Sequence, residues 1–231
     1  MTEAGRRSSG QAAPLRVLFV CTANISRSPY AERRASQAVA DGSVVFASAG
    51  VPGYPGRAMD PEMERLLLER GGSSEGHVSR SVSEEIIAGV DLVLPFEFAQ
   101  HMKLLDAFPD QADKIVGVGQ LATAVARLRE ADEDLASVDG VDDLVRVVTQ
   151  QAGPNSMSFD IDDPFRRGAR VATACADQID RHLDLILPFL AGAELPKLAA
   201  SEEAPTKRRR WPWARTRSCA EEPRRGARPQ P

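Results

Sequence analysis

A cysteine and an arginine six residues apart, Cys21 and Arg27 in the stretch VLFVCTANISRSPYA, are the side chains on which this sequence could run chemistry. Two readings of Cys21 compete. It is either a small hydrophobe closing a buried strand, since free cysteines are among the most buried residue types, or a thiolate nucleophile in a loop that holds an oxyanion. The second reading gives every neighbour a task. Helix N-termini and nearby arginines favour the thiolate over the thiol. Arg27, planar and permanently charged, can clamp two non-bridging oxygens of a phosphate, a fork that lysine lacks. Ser28 can donate to the sulfur, and Asn24 suits the left-handed backbone of a tight anion-cradling loop. The backbone of Thr22, Ala23, Asn24, Ile25 and Ser26 can supply amides to the same anion.

These residues need a strand before them and a helix after them. LRVLFV at 15–20 is a continuous apolar run, as in a strand buried on both faces. A helix is predicted from Ser28 with Pro29 in its first turn, where a missing N–H costs nothing. The loop CTANISR then sits at the carboxyl end of a strand and at a helix N-terminus, where α/β sheets bind ligands. Further on, SVVFASAG reads as a strand, PEMERLLLERGG and VSEEIIAG as helices, DLVLPF as a strand ending at Pro95, and KIVGV as a fourth strand. Residues 121–157 read as a partly helical insertion, and a last helix runs from about Ala169 to Ala191 with an apolar face. Strands alternating with helices predict an α/β fold with a parallel sheet covered on both sides.

Composition narrows the class. The chain has 231 residues, 42% hydrophobic and 27% charged, which suits one globular domain with some extension. Its three cysteines, Cys21, Cys175 and Cys219, are widely spaced and form no Cys-x-x-Cys pair, so neither a disulfide framework nor a zinc site is indicated. No His, Cys and carboxylate set has metal-ligand spacing, and no metal or other cofactor is expected. The N-terminus has two arginines but no apolar stretch of signal-peptide form, and no run approaches the roughly 20 apolar residues of a membrane span. A cytoplasmic location is the expectation. From Ser201 to Pro231 nine basic residues face four acidic ones, a net +5, which leaves −9 for the remainder of a chain whose total is −4. An acidic body is a poor nucleic-acid surface. The tail sequence KRRRWPWARTR suits either a disordered soluble segment or contact with an acidic partner or anionic membrane surface. The domain expectation is a disordered segment 1–14, a folded domain 15–195 and a basic disordered tail 196–231; no oligomeric state is legible.

CTANISRSPYAE resembles the phosphate loop of the low-molecular-weight protein tyrosine phosphatases. The likeness continues through SAG at 48–50, Tyr54, GRAMDPEMERLLLERGG, HVSRSVSEEI, DLVL and DIDDPFRRG, covering roughly 15–192 with gaps. The resemblance implies a three-layer sandwich around a central four-stranded parallel sheet, with the phosphate loop after the first strand. It implies hydrolysis of phosphotyrosine in proteins, or of small aryl phosphates, through a cysteinyl-phosphate intermediate. Cys21 would be the nucleophile, Arg27 the phosphate clamp, and Asp163 of the Asp-Pro pair the acid and then the base. Asp160 and Asp162 beside it are either like charges acting on it or solvated loop acids. Tyr54 and Phe165 are either an aromatic wall for the substrate ring or loop packing. His77 and Arg80 either support the phosphate loop or belong to a surface turn, while His101 and His182 read as structural. Ile25 matches the tyrosine phosphatases, where related arginine phosphatases carry threonine.

Three departures stand against the family pattern: Ala23 in place of a loop glycine, Ser26 in place of a cysteine that can protect the nucleophile as a disulfide, and LPFEF at 94–98, where Glu97 would replace an aspartate. They keep two rival functions open. One is an arsenate reductase of the same fold drawing on an external thiol, since the internal cysteine pair is missing. The other is a binding module for phosphate or phosphoproteins without turnover.

Overall fold

A computed structural model of the chain describes residues 13–131 and 140–192. Most of the expected N-terminal segment, the acidic connection 132–139, Cys219 and the basic tail lie outside the described residues.

The apolar run is strand β1, Leu15–Cys21, whose last five residues are buried. It is the central strand of a parallel sheet, with β2 (Val44–Gly50) on one side and β3 (Leu92–Pro95) on the other. Its central place explains the absence of alternation, because both faces of such a strand are covered. Phe19 stacks on Phe46 at 6.0 Å between centroids and tilts against Phe96 at 6.1 Å. The register puts Cys21 opposite Gly50 and Val20 opposite Pro95, so the cysteine ends its strand at the sheet's carboxyl edge.

The sheet of the described residues has three strands, which corrects the expected four. KIVGV makes a single parallel bridge, Ile115 to Val93, with the Val116 amide donating to the Val93 carbonyl at 3.0 Å. A 3₁₀ turn, Pro109–Lys114, occupies the residues before it, and a helix begins at Val118. Two buried residues, Ile115 and Val116, at the outer edge of β3 are too few for a ladder.

Helix α1, Arg27–Ala38, packs on β1 and β2. Helix α2, Pro61–Glu69, starts with Pro61 behind Asp60, whose carboxylate caps the amides of Glu62 and Met63 at 3.2 and 3.3 Å. Two helices flank β3: α3 (Glu84–Ala88), capped by Ser83, and α4 (Phe98–Ala107). The region expected as an insertion holds α5, Val118–Glu130, and α6, Gly140–Ala152. Leu121, Val125, Leu128, Leu144 and Val148 join the same apolar cluster as the sheet, so this region is part of the core. Helix α7, Ala169–Leu190, lies against α1, α2 and α5 through Cys175, Ile179, Leu183, Ile186 and Leu190. Among the described residues no helix is long and apolar enough to cross a membrane.

An ion-pair cluster ties α1, α2 and α7 together. Asp180 accepts from Tyr30 Oη at 3.1 Å, Arg34 Nε at 3.1 Å and Arg70 Nη1 at 2.7 Å, while Arg70 Nη2 reaches Asp177 at 2.5 Å. Burial and the Asp180 carboxylate push the Tyr30 hydroxyl well above the usual phenol range. Removing Asp180 leaves two guanidinium groups and a phenol without their shared acceptor, in a setting about a fifth exposed. A fully buried pair broken in this way costs about 3–5 kcal/mol; partial exposure reduces this to about 2 kcal/mol for Asp180→Ala. Denaturant unfolding checks this expectation, and a loss below about 0.5 kcal/mol, the range of ordinary surface changes, contradicts it.

Candidate active site

The loop after β1 is held by its carbonyl groups. Cys21 O accepts from Val51 N at 2.9 Å, Thr22 O from Gly53 N at 2.9 Å, Ala23 O from Tyr54 N at 3.4 Å and Ile25 O from Asp60 N at 2.7 Å. The Asn24 carbonyl accepts from His77 Nε2 at 3.0 Å. Since a carbonyl can only accept, the imidazole must carry its proton on Nε2. Burial, reinforced by Arg33 and Arg80, holds His77 below the usual histidine range, so it serves as a neutral donor. Every carbonyl from Cys21 to Ile25 is thus drawn outward by the surrounding loops, and the amides between them face the other way. The Asn24 amide donates to Cys21 Sγ at 3.3 Å. Among the described residues, the amides of Ala23, Ile25 and Ser26 donate to no protein acceptor.

Two positions make this winding possible. Asn24 takes the left-handed conformation, φ 59°, and carries the turn that a glycine would otherwise carry. Ala23 has no positive φ, which is why the family's glycine is dispensable there. Gly50 is indispensable for a different reason: a Cβ on it would lie 2.9 Å from Thr22 O and 2.8 Å from Gly53 Cα. β2 touches the loop there backbone to backbone.

The Asn24 side chain is buried and fully used. Its Nδ2 donates to Ser28 Oγ at 3.0 Å and to Ser48 Oγ at 2.8 Å, and its Oδ1 accepts from Arg80 N at 2.9 Å. Ser48 Oγ donates in turn to Glu32 Oε2 at 2.5 Å; burial pushes the Glu32 carboxyl up against the opposing pull of Ser48, Arg33 and Arg80. Ser28 Oγ lies 3.0 Å from Cys21 Sγ and 3.2 Å from the Ala49 carbonyl. With Asn24 donating to it, its single proton can go to either.

Arg27 is 1% exposed. Its Nη1 donates to Ile161 O at 2.6 Å and pairs with Glu97 at 2.7 Å, and its Nη2 stands 3.4 Å from Asp163 Oδ2. Burial alone would lower its pKa; Cys21, Glu97 and Asp163 outweigh that and raise it. Arg27 Nε and Ser26 Oγ are buried with no hydrogen-bond partner among the described residues. Both residues line a cavity of about 380 Å³ with Cys21, Thr22, Ala23, Ile25, Tyr54 and Asp163. An unpaired buried guanidinium donor costs free energy unless an acceptor arrives, and an anion in that cavity would be one.

The two sequence halves therefore meet. Of the acids in DIDDPF, only Asp163 lines the cavity: Asp160 accepts from Phe98 N at 2.6 Å at the start of α4, and Asp162 faces solvent beside Arg167 at 3.3 Å. Both are loop acids with duties elsewhere. Tyr54 and Phe165 line the cavity together, as an aromatic wall requires. His77 supports the loop through Asn24 O and Arg80 through its amide, while His101 stacks on Phe98 away from the site. Sequence reasoning missed Gln100, which donates to Thr22 Oγ1 at 3.1 Å and Glu97 Oε2 at 2.6 Å, and the Ser48–Glu32 pair. Gln100 had a signal, since it follows Glu97 by three residues at a helix start. Arg57 and Arg166, which also line the cavity, had none.

A thiol at the carboxyl edge of a parallel sheet, inside a loop of inward amides and beside a buried arginine, defines a protein that handles oxyanions by nucleophilic chemistry. The sequence profile of the family described as "Low molecular weight phosphotyrosine protein phosphatase" matches residues 16–136, and the chain belongs to that family. It is 32% identical over 103 residues to the low molecular weight protein-tyrosine-phosphatase Wzb of Escherichia coli K12, spanning 45% of this chain and 69% of Wzb. Among solved structures it is similar to the YwlE arginine phosphatase from Geobacillus stearothermophilus, at 25% identity, TM-score 0.59, 78% of this chain and 95% of that one. It is also similar to the low molecular weight protein tyrosine phosphatase of T. tengcongensis, at 26% identity, TM-score 0.56, 76% of this chain and 99% of that one.

If Asn24 sets the loop, Asn24→Ala should weaken binding of inorganic phosphate, read by calorimetry, by about tenfold or more, since a lost hydrogen-bond set exceeds 1.4 kcal/mol. Asn24→Gly restores the backbone but not the side chain, and should recover part of the loss. Wild-type affinity in Asn24→Ala would contradict the account.

Proposed function

We propose that the chain hydrolyses phosphotyrosine in proteins, and small aryl phosphates, through a phosphate ester of Cys21. The observation that carries this reading is the convergence of Cys21, Arg27 and Asp163 on one cavity from loops about 140 residues apart in sequence. Arg27 Nε and the inward amides hold the equatorial oxygens of the transferring phosphoryl group, stabilising charge where it develops. The Cys21 thiolate attacks phosphorus, the bond to the phenolic oxygen breaks, and Asp163 gives that oxygen its proton. Ser28 swings its proton from the Ala49 carbonyl to the sulfur whenever the sulfur is anionic. Water then attacks phosphorus with Asp163 now taking its proton, the sulfur–phosphorus bond breaks, and phosphate leaves with the thiolate restored.

Glu97 is a positioning residue in this scheme. It fixes Nη1 of Arg27 on the far side from Nε, and Gln100 holds Glu97 in place and reaches back to Thr22. Substrate class follows from the walls. Tyr54 and Phe165 favour an aromatic ring between phosphate and peptide, while Ile25 contributes an apolar surface with no hydrogen bond for a guanidinium. Arsenate reduction would call for a second thiol. Cys175, buried in α7, has its pKa pushed up to about 12, chiefly by burial and despite the nearby Arg27, so it is a poor donor of electrons from within the chain.

A turnover panel of phosphotyrosine peptide, phosphoarginine and arsenate with added thiol tests the reading. Phosphotyrosine should be the preferred substrate, with Cys21→Ser at least about 10⁴-fold slower. Asp163→Asn should slow cleavage of phenyl phosphate by about 10²–10³-fold, and of p-nitrophenyl phosphate less, because its better leaving group needs less protonation. Saturable phosphate binding without turnover, or thiol-dependent arsenate turnover alone, would refute it.

A further inference from the structure

The cavity mouth carries two arginines that the chemistry above does not use. Arg57 lies over the Tyr54 ring at 5.8 Å, and Arg166 over the Phe165 ring at 5.0 Å. Each aromatic wall is thus edged by a cation, and both arginines line the same cavity as Cys21. Neither has a carboxylate partner among the described residues, whereas the neighbouring Arg167 is paired with Asp162.

The backbone is fixed at both positions. The Arg57 amide donates to Ser79 Oγ at 2.8 Å, its carbonyl accepts from Ser79 N at 2.9 Å, and Ser79 Oγ donates to Tyr54 O at 2.6 Å. One buried serine therefore pins Tyr54 and Arg57 together. Arg166 has φ 58°, a left-handed backbone that disfavours any residue with a Cβ. Glycine would relieve that conformation. An arginine kept there, stacked on the ring next to it, points to a use for its charge.

We infer that Arg57 and Arg166 form a cationic rim that selects phosphotyrosine flanked by Asp or Glu in an extended peptide. The inference rests on the phosphatase reading. With the phosphotyrosine ring between Tyr54 and Phe165, the peptide backbone must cross the mouth, and its side chains on either side of the phosphotyrosine meet the two guanidinium groups. Charges at an exposed rim are worth little each, but stacking on aromatic faces holds these two in place, and they add in the same direction.

Matched phosphotyrosine peptides with acidic or with alanine flanks test this by the ratio of their kcat/KM values. Because each variant serves as its own reference, a general loss of activity does not disturb the reading. The wild-type ratio should be about tenfold in favour of acidic flanks, falling about two- to fivefold for Arg57→Gln and for Arg166→Gln and approaching one in the double variant. Arg166→Glu should invert the preference at its own flank, and added salt should narrow the wild-type ratio. Cys21-dependent hydrolysis of p-nitrophenyl phosphate by the wild type checks the phosphatase reading separately, and its absence removes the basis of the inference. Where that activity is present, a wild-type ratio near one, or one that survives in the double variant, overturns the rim.

Discussion

The site depends on how the carbonyl groups of CTANI are satisfied. Five of them, from Cys21 to Ile25, accept from Val51, Gly53, Tyr54, His77 and Asp60, all outside the loop. A peptide plane that turns its oxygen outward turns its amide inward, so these bonds aim the backbone dipoles at the space above Cys21 Sγ. The β2–α2 loop and the His77 turn thus build the anion site without touching the anion. Gly50 lets β2 come near enough, and Asn24 supplies the one left-handed residue that the winding needs.

Arg27 imposes the second constraint. A buried guanidinium is tolerable only if paired, and breaking such pairing costs about 3–5 kcal/mol. The chain meets this with Glu97 from the N-terminus of α4 and with Ile161 O and Asp163 from the loop before α7. Ile161 is tied in turn to Phe96 O at 3.0 Å, and Asp160 to the first turn of α4. The same contacts that stabilise the arginine therefore carry the acid loop to the thiol. Stability and placement of Asp163 are one set of interactions.

The parts of this design that follow from local chemistry were legible in the sequence. The buried strand, the helix with proline in its first turn, Pro61 as a helix start and the left-handed Asn24 all rest on propensities carried by single residues. The aromatic pair Tyr54 and Phe165 and the acid Asp163 came from a family resemblance, because nothing in their spacing says that they meet. The fourth strand failed because KIVGV has the composition of a strand but is cut short on both sides by helical turns. The region 121–157 is helical, as its spacing suggested, and the sequence carried no sign that Leu121, Val125, Leu144 and Val148 belong to the same core as the sheet. The roles of Ser48 and Ser79, and the reach of Gln100 to Thr22, are long-range hydrogen bonds, for which a sequence carries no periodic signal.

The central claim is that phosphate passes through Cys21. Rapid quenching of the protein during turnover of an aryl phosphate, followed by mass spectrometry of its peptides, tests it directly. The account predicts one phosphoryl group on Cys21, present only during turnover and absent from Cys21→Ala. Sustained turnover with Cys21 unmodified at every time point, or with the phosphoryl group on another side chain, would contradict it.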